Sequence, residues 1–468
     1  MPAKLSKFTI DATCREYVHP WTSSCISSTA GLGLHALQDC IRIYTTVYVI
    51  TLLMKGKVPS KDDIIRTILG IIQSTSFLSW SAFSYAMFIC GLRRILGNFN
   101  VLTVSFIPSL LSSFSAILIE RPSRRTLLSL YVSNIATETL FRMGVWRGYF
   151  SVIPKGEIYI FAVSTAVLMY FFRSKSDKKD SIYKIIRLII GQYEEQEYKK
   201  MRSLQETCDK NASDKTNVNK KRNSTKARSQ RINFEILSKA LNVYNDIITR
   251  LKSLKKHITC PHPHSCAHYI LMGSARTFSY GICGQLILKL ALNMRRIIKQ
   301  PNLIKSTIFK KNNLNLAVFL SGFVGLYRLV SCSLRRAYNK DSSLFAIPAS
   351  LVASVAFMVY PDNSVALYSM WKALQLIWNE GVEQKKVPEV KWFVIFLYCF
   401  STAVLFHAAI IEPQNLRPSY WKFLYNLSGG RIATMCRIPL DGFGLGSAES
   451  LQQVLKETRT TDQLTYSF

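Results

Sequence analysis

The sequence predicts an all-α fold, a polytopic membrane helical bundle built from two related repeats of four to five transmembrane helices each. Three observations predict it. First, 49% of the 468 residues are hydrophobic, the mean hydropathy is +0.13, and the apolar residues come in long blocks. A bilayer span needs roughly 20 such residues, and lipid offers backbone N–H and C=O groups no partner, so each block must be helical. Second, Ser164-Thr165-Ala166-Val167-Leu168 recurs as Ser401-Thr402-Ala403-Val404-Leu405, a shift of 237. Ala136, Gly144 and Val145 find Ala373, Gly381 and Val382 at the same shift. Cys90-Gly91-Leu92-Arg93-Arg94 mirrors Cys332-Ser333-Leu334-Arg335-Arg336, and Ile107-Pro108 mirrors Ile347-Pro348. Co-linear matches of this kind mark a duplicated membrane unit. Third, 60 Lys+Arg against 28 Asp+Glu give a net charge of +32, with much of the excess in short clusters beside apolar blocks. That placement fits topology signals and contact with phosphate headgroups. Nucleic-acid binding is excluded, because no recognition module accompanies the charge.

Taken in order, residues 1–36 form an N-terminal Cys/His segment that does not read as a secretory signal, and 37–172 form the first membrane repeat. Its blocks are 71–92 and 101–119, with weaker ones at 37–54, 127–145 and 158–172. Residues 173–259 form a basic hydrophilic linker holding 22 Lys+Arg and 10 Asp+Glu, a net of +12 by subtraction. Within it, 209–231 has a disordered composition, and 182–190 reads as a short amphipathic helix lying on the membrane. A second Cys/His segment, 260–268, precedes the second repeat, 269–428, with blocks at 314–334, 344–360 and 392–411 and weaker ones at 269–292 and 364–379. A C-terminal tail, 429–468, follows, Gly-rich from 429 to 446. The loop charges leave inverted and parallel halves both open.

Each half opens on cysteine and histidine. The first cluster is Cys14-x4-His19-x-Trp21-x3-Cys25, and the second is Cys260-Pro261-His262-Pro263-His264-Ser265-Cys266. Thiolate and imidazole at such spacing suit tetrahedral zinc, and a closed site would be structural. Pooled, Cys14, Cys25, Cys260 and Cys266 with His262 and His264 would clamp the halves through one zinc per chain. Disulfides in an oxidising compartment and plain reduced thiols are the other readings. A di-iron desaturase would need about eight histidines in several boxes; seven scattered ones do not supply them. No other cofactor and no catalytic residue is indicated, so the chain reads as a non-enzyme.

Inside the apolar blocks, Glu138 and Arg142 stand four apart on one helical face, with Asn134 a turn earlier. Glu ahead of Arg at that spacing favours an ion pair, and pairing is how a bundle interior tolerates charge in lipid. Pro108 and Pro348 fall at equivalent places in the two halves and read as helix breaks, either at a repeat-interface site or as kinks that shape packing.

The residues resemble the transmembrane protein 135 family. The resemblance is carried by the first Cys/His cluster, by Ala116-Ile117-Leu118-Ile119-Glu120-Arg121, by Asn134 through Gly144, and by Leu416-Arg417-Pro418-Ser419-Tyr420-Trp421-Lys422-Phe423-Leu424. It departs at 174–256 and in the His-Pro spacing of the second cluster. What it implies is a multi-pass protein of mitochondrial and peroxisomal membranes, linked to the fission–fusion balance through the dynamin-related fission GTPase, and to peroxisome and lipid homeostasis. The chain is also distantly similar to the inner-membrane translocase channel superfamily. Membrane lipids are the remaining expected partner, and an oligomer is compatible with the sequence. A rival reading is a carrier or channel for a lipid or small metabolite, with its site between the repeats.

Overall fold

The computed structural model describes residues 7–54, 59–174, 181–195, 235–300 and 314–462. The disordered stretch expected at 209–231 lies outside the described residues. The chain is overwhelmingly helical; its strands among the described residues are β1 (Thr9–Ile10) and β2 (Phe99–Asn100), paired antiparallel with Thr9 opposite Asn100. It divides into two compact units, one of residues 1–154 and 381–468, the other of 155–380.

The first unit holds α1 (Cys14–Tyr17), α2 (Cys25–Met54), α3 (Lys61–Leu96), α4 (Phe106–Ile119) and α5 (Pro122–Trp146). Start and stop signals bound the long α3. Ser60 and Asp63 form a capping box at its start, and Gly97 takes the left-handed conformation (φ 75°) at its end. The late helix α13 (Phe393–Ile411) packs on α4 and α5. Its buried Cys399, Val404, Leu405 and Ala408 join Phe77, Ile89, Ile117 and Ile135 in one core. At the α5–α13 contact Ser133 and Ser401 hydroxyls share a 3.0 Å hydrogen bond. The tail folds over this core as α14 (Pro418–Leu427), α15 (Arg431–Thr434) and α16 (Ser447–Thr458), burying Trp421 completely.

The second unit begins with α6 (Gly156–Ser174) and continues through α7 (Ser181–Ile190), α8 (Glu235–Ser253), α9 (Cys266–Lys299), α10 (Asn315–Tyr338), α11 (Ala346–Ala353) and α12 (Asn363–Glu383), whose last turn crosses the boundary. Phe161, Leu168, Met169 and Phe172 of α6 meet Phe319, Phe323, Ala349 and Phe357. The Phe161 and Phe357 rings stack at 4.2 Å. The units are therefore not the linear halves 37–172 and 269–428: α6 folds with the later helices, and α13 with the earlier ones.

Among the described residues, four helices are long and apolar enough to cross a membrane: α3, α6, α10 and α13. Two blocks that read as spans are shorter. At 14 residues, α4 runs about 21 Å, against a hydrocarbon core of about 30 Å. Residues 344–360 form the eight-residue α11, continued as the 3-10 turn Ser354–Val359. The weaker blocks at 37–54, 127–145, 269–292 and 364–379 are indeed helical, as α2, α5, α9 and α12. They carry charge within the helix and fall outside the four spans.

The prolines need correcting too. Pro108 and Pro348 are each the third residue of their helix, α4 and α11. In a first turn the missing N–H has no intrahelical partner to lose. They start helices and break none.

Candidate metal centres and the buried ion pairs

The two Cys/His segments fold into two separate four-ligand sets, each completed inside its own unit by a cysteine from a long helix. In the first, Cys14, His19, Cys25 and Cys90 bring their ligand atoms within 4.8 Å of one another, and Cys260, His262, Cys266 and Cys332 do the same in the second. His264, expected among the ligands, is not in the set. Its backbone carbonyl instead takes a 2.6 Å contact from His262 Nδ1.

Local sequence explains this convergence. Thr13 and Glu16 form a capping box, the Glu16 amide donating to Thr13 Oγ1 at 3.2 Å and the Thr13 amide donating to Glu16 Oε2 at 2.7 Å, which fixes Cys14 as the first residue of α1. Ser24 accepts from the Ser27 amide at 3.3 Å and so places Cys25 at the head of α2. In the second set Ser265 accepts from the His268 amide at 3.2 Å and places Cys266 at the head of α9. Both histidines are held alike. His19 Nδ1 lies 2.8 Å from the Thr22 carbonyl and its Nε2 3.3 Å from Cys25 Sγ. His262 Nε2 lies 3.7 Å from Cys332 Sγ. A carbonyl on Nδ1 requires the proton there, which leaves the Nε2 lone pair facing the sulfurs, the usual orientation of a metal-bound imidazole.

Distances fit a tetrahedral ion. Cys260 Sγ and Cys266 Sγ stand 3.8 Å apart. Zn–S bonds of about 2.3 Å at tetrahedral angles separate two sulfurs by about 3.8 Å, and a sulfur from a nitrogen by about 3.6 Å. A disulfide would need about 2.05 Å, and none is formed among the described cysteines. One thiol of each set is held below its ordinary value, while burial and the neighbouring thiol push Cys25 and Cys266 up. Hydrogen bonding from Cys90 pulls Cys14 down to about 6, with His19 and Arg93 adding their charge against the opposing effect of burial. Cys260 falls to about 4, chiefly through Cys332, with His262 assisting. Each set could hold a metal ion.

Three residues beyond each helical cysteine, an arginine braces the site. Arg93 donates to the Ala12 carbonyl at 2.6 Å and to Asp11 at 2.9 Å. Arg335, fully buried, donates to both oxygens of Glu194 at 3.0 and 2.5 Å and to Asp341 at 3.0 Å. Arg173 also pairs with Asp341 and stands 3.8 Å from Glu194, while the Tyr269 hydroxyl donates to Glu194 at 3.2 Å. Sequence reasoning missed this network, since Arg335 read as a snorkelling charge and Glu194 sat in a stretch taken as solvated.

Glu138 and Arg142 do pair, at 2.5 Å. The arrangement is larger than expected: Arg417, just ahead of α14, takes the other oxygen of Glu138. Asn134 is buried one turn earlier on the same helix. Arg147 binds the fully buried Glu412, which also accepts from Asn415 at 3.0 Å. Cys90 and Cys332, the missing ligands, did leave a trace in the sequence: they head the duplicated Cys-x-Leu-Arg-Arg motif.

Apolar spans joined by buried ion pairs define a helical membrane protein. Residues 11–145, which contain the whole first ligand set and the Glu138–Arg142 pair, match the N-terminal cysteine-rich region of Transmembrane protein 135. Over that stretch the chain is similar to the transmembrane protein 135 family. No solved structure matches it.

Proposed function

We propose that this chain is a non-enzymatic multi-pass protein of mitochondrial and peroxisomal membranes that regulates the fission–fusion balance and peroxisome and lipid homeostasis. Its scaffold is two helical units of one duplicated repeat, each stapled by a structural zinc. The observation that carries the scaffold is the recurrence of one Cys3His constellation, once per unit, hung from the same helical motif. Support for the duplication runs further. Gly144 and Gly381 each accept from amides five and six residues on, closing similar loops. Gly148 (φ 80°) and Lys385 (φ 56°), 237 apart, both take the left-handed conformation that the turn requires. Under this reading, the fifth helix of each half completes the unit begun by the other.

The inward charges bind one another, and closed Cys/His sets suit structure over catalysis. The regulatory role rests on the resemblance to the transmembrane protein 135 family over residues 11–145, with the dynamin-related fission GTPase as the partner to test. Cells lacking the protein should show altered mitochondrial length and peroxisome number, restored by re-expression, and cross-linking should recover that GTPase. Unchanged organelles would overturn the regulatory reading.

One observation favours the carrier alternative. The first unit encloses a cavity of about 280 Å³, walled by Trp21, Tyr44, Phe77, Tyr85, Tyr398 and Phe406. Apolar walls with a few polar tips suit a lipid or another apolar molecule. Flux of such a molecule in liposomes containing the purified chain would select the carrier.

A further inference from the structure

The second unit contains a cavity of about 710 Å³ whose charged lining is all basic: Lys184, Arg187, Arg276 and Arg328, joined by His264 and His268. Among the described residues no carboxylate lines it, and of the cations Arg187 is paired with Glu195. Arg328 is the decisive residue. It is only 7% exposed, it lies over the Tyr269 ring at 4.1 Å, and it donates to the carbonyls of Tyr269 at 2.7 Å and Ile190 at 2.5 Å. Among the described residues its Nε has no hydrogen-bond partner. Carbonyl dipoles orient a guanidinium without cancelling its charge, and a buried charge without a counter-ion is expensive.

The fold makes room for this arginine. A Cβ on Gly273 would collide with the Arg328 guanidinium, and one on Gly191 would come within 3.1 Å of it. A neighbouring element adds the apolar component. Helix α7 buries Tyr183, Ile186 and Ile190 in the core, yet leaves Ile185 and Leu188 more than half exposed beside Lys184 and Arg187. A surface helix with exposed aliphatics between cations is the pattern of a membrane-interface helix.

We propose that this cavity is a phosphate site that takes the headgroup of an anionic phospholipid. Arg328 supplies the fixed guanidinium at the back, Lys184 and Arg276 close over the phosphate at the mouth, and the acyl chains run along Ile185 and Leu188. A guanidinium suits this role because its planar fork matches phosphate oxygens.

The test uses the detergent-purified full chain with dioctanoyl phosphatidic acid, dioctanoyl phosphatidylcholine and inorganic phosphate as separate probes, read by native mass spectrometry. Phosphatidic acid should bind at least tenfold tighter than phosphatidylcholine. Lys184→Glu with Arg276→Glu, both exposed and so tolerated by the fold, should abolish that preference while circular dichroism stays unchanged. Arg328→Lys, which keeps the charge but loses the fork, should weaken phosphatidic acid binding severalfold. Displacement of the lipid by millimolar phosphate supports the site and assigns it to soluble phosphate esters; resistance to phosphate supports the lipid. Equal binding of the two lipids, or an unaltered preference in the double variant, overturns the proposal.

Discussion

Purified full-length protein should carry two zinc ions, and Cys90→Ser should remove one of them. The expectation of two, where the sequence suggested one shared ion, comes from the separate completion of each set by Cys90 and Cys332. The sulfur–sulfur distance of 3.8 Å already matches the edge of a tetrahedron with bonds of about 2.3 Å, so little reorganisation opposes binding. A serine hydroxyl stays neutral at physiological pH and cannot replace a thiolate ligand. With free zinc a thousandfold above its Kd, occupancy of one site stabilises the fold by about 4 kcal/mol. For a unit of this size, that lowers Tm by roughly 8–16 °C when the site is lost. Elemental analysis gives the stoichiometry, and X-ray absorption should find sulfur at about 2.3 Å and nitrogen at about 2.0 Å, in a ratio near three to one. Folded wild-type protein without zinc would refute the reasoning, as would a Cys90→Ser variant that retains two ions.

Other outcomes can be checked by thermal unfolding in detergent or nanodiscs. Arg417→Met strands the buried Glu138 with the more exposed Arg142, whose side chain is 40% accessible, and should cost about 3 kcal/mol; Arg142→Met should cost under about 1 kcal/mol, and equal losses would contradict the assigned geometry. Glu194→Gln leaves Arg335 and Arg173 sharing Asp341 alone and should destabilise by about 3–5 kcal/mol, whereas a neutral result would mean the network is dispensable. Gly281→Ala would place a Cβ 2.5 Å from the Ala317 Cα, forcing α9 from α10 at about 1–3 kcal/mol; an unchanged Tm would argue against that close approach.

The apolar blocks were legible because lipid and helix geometry impose a length and a composition on each span. Block length alone misjudged 101–119, because Pro108 and the turn before it delay the helix until Phe106. The first ligands of each metal set were legible as local clusters. His264 misled, since two histidines so near a cysteine pair offer equal chemistry, and only the loop path sends the His262 ring inward and leaves His264 as a carbonyl donor to its orientation. Arg335 misled in the opposite sense: a charge flanking an apolar run normally faces headgroups, and nothing nearby in sequence announces that Glu194, 141 residues earlier, will meet it.

By itself the sequence determined that this is a helical membrane protein with a cysteine-rich region similar to that of Transmembrane protein 135, because hydropathy, helix punctuation and the cysteine-rich motif are local properties written residue by residue. Tertiary structure alone decided which distant groups meet: Cys90 with Cys14, Cys332 with Cys260, Arg417 with Glu138, and α13 with α4 and α5. Those partners lie tens to hundreds of residues apart, and the burial of complementary surfaces, which no window of sequence contains, brings them together.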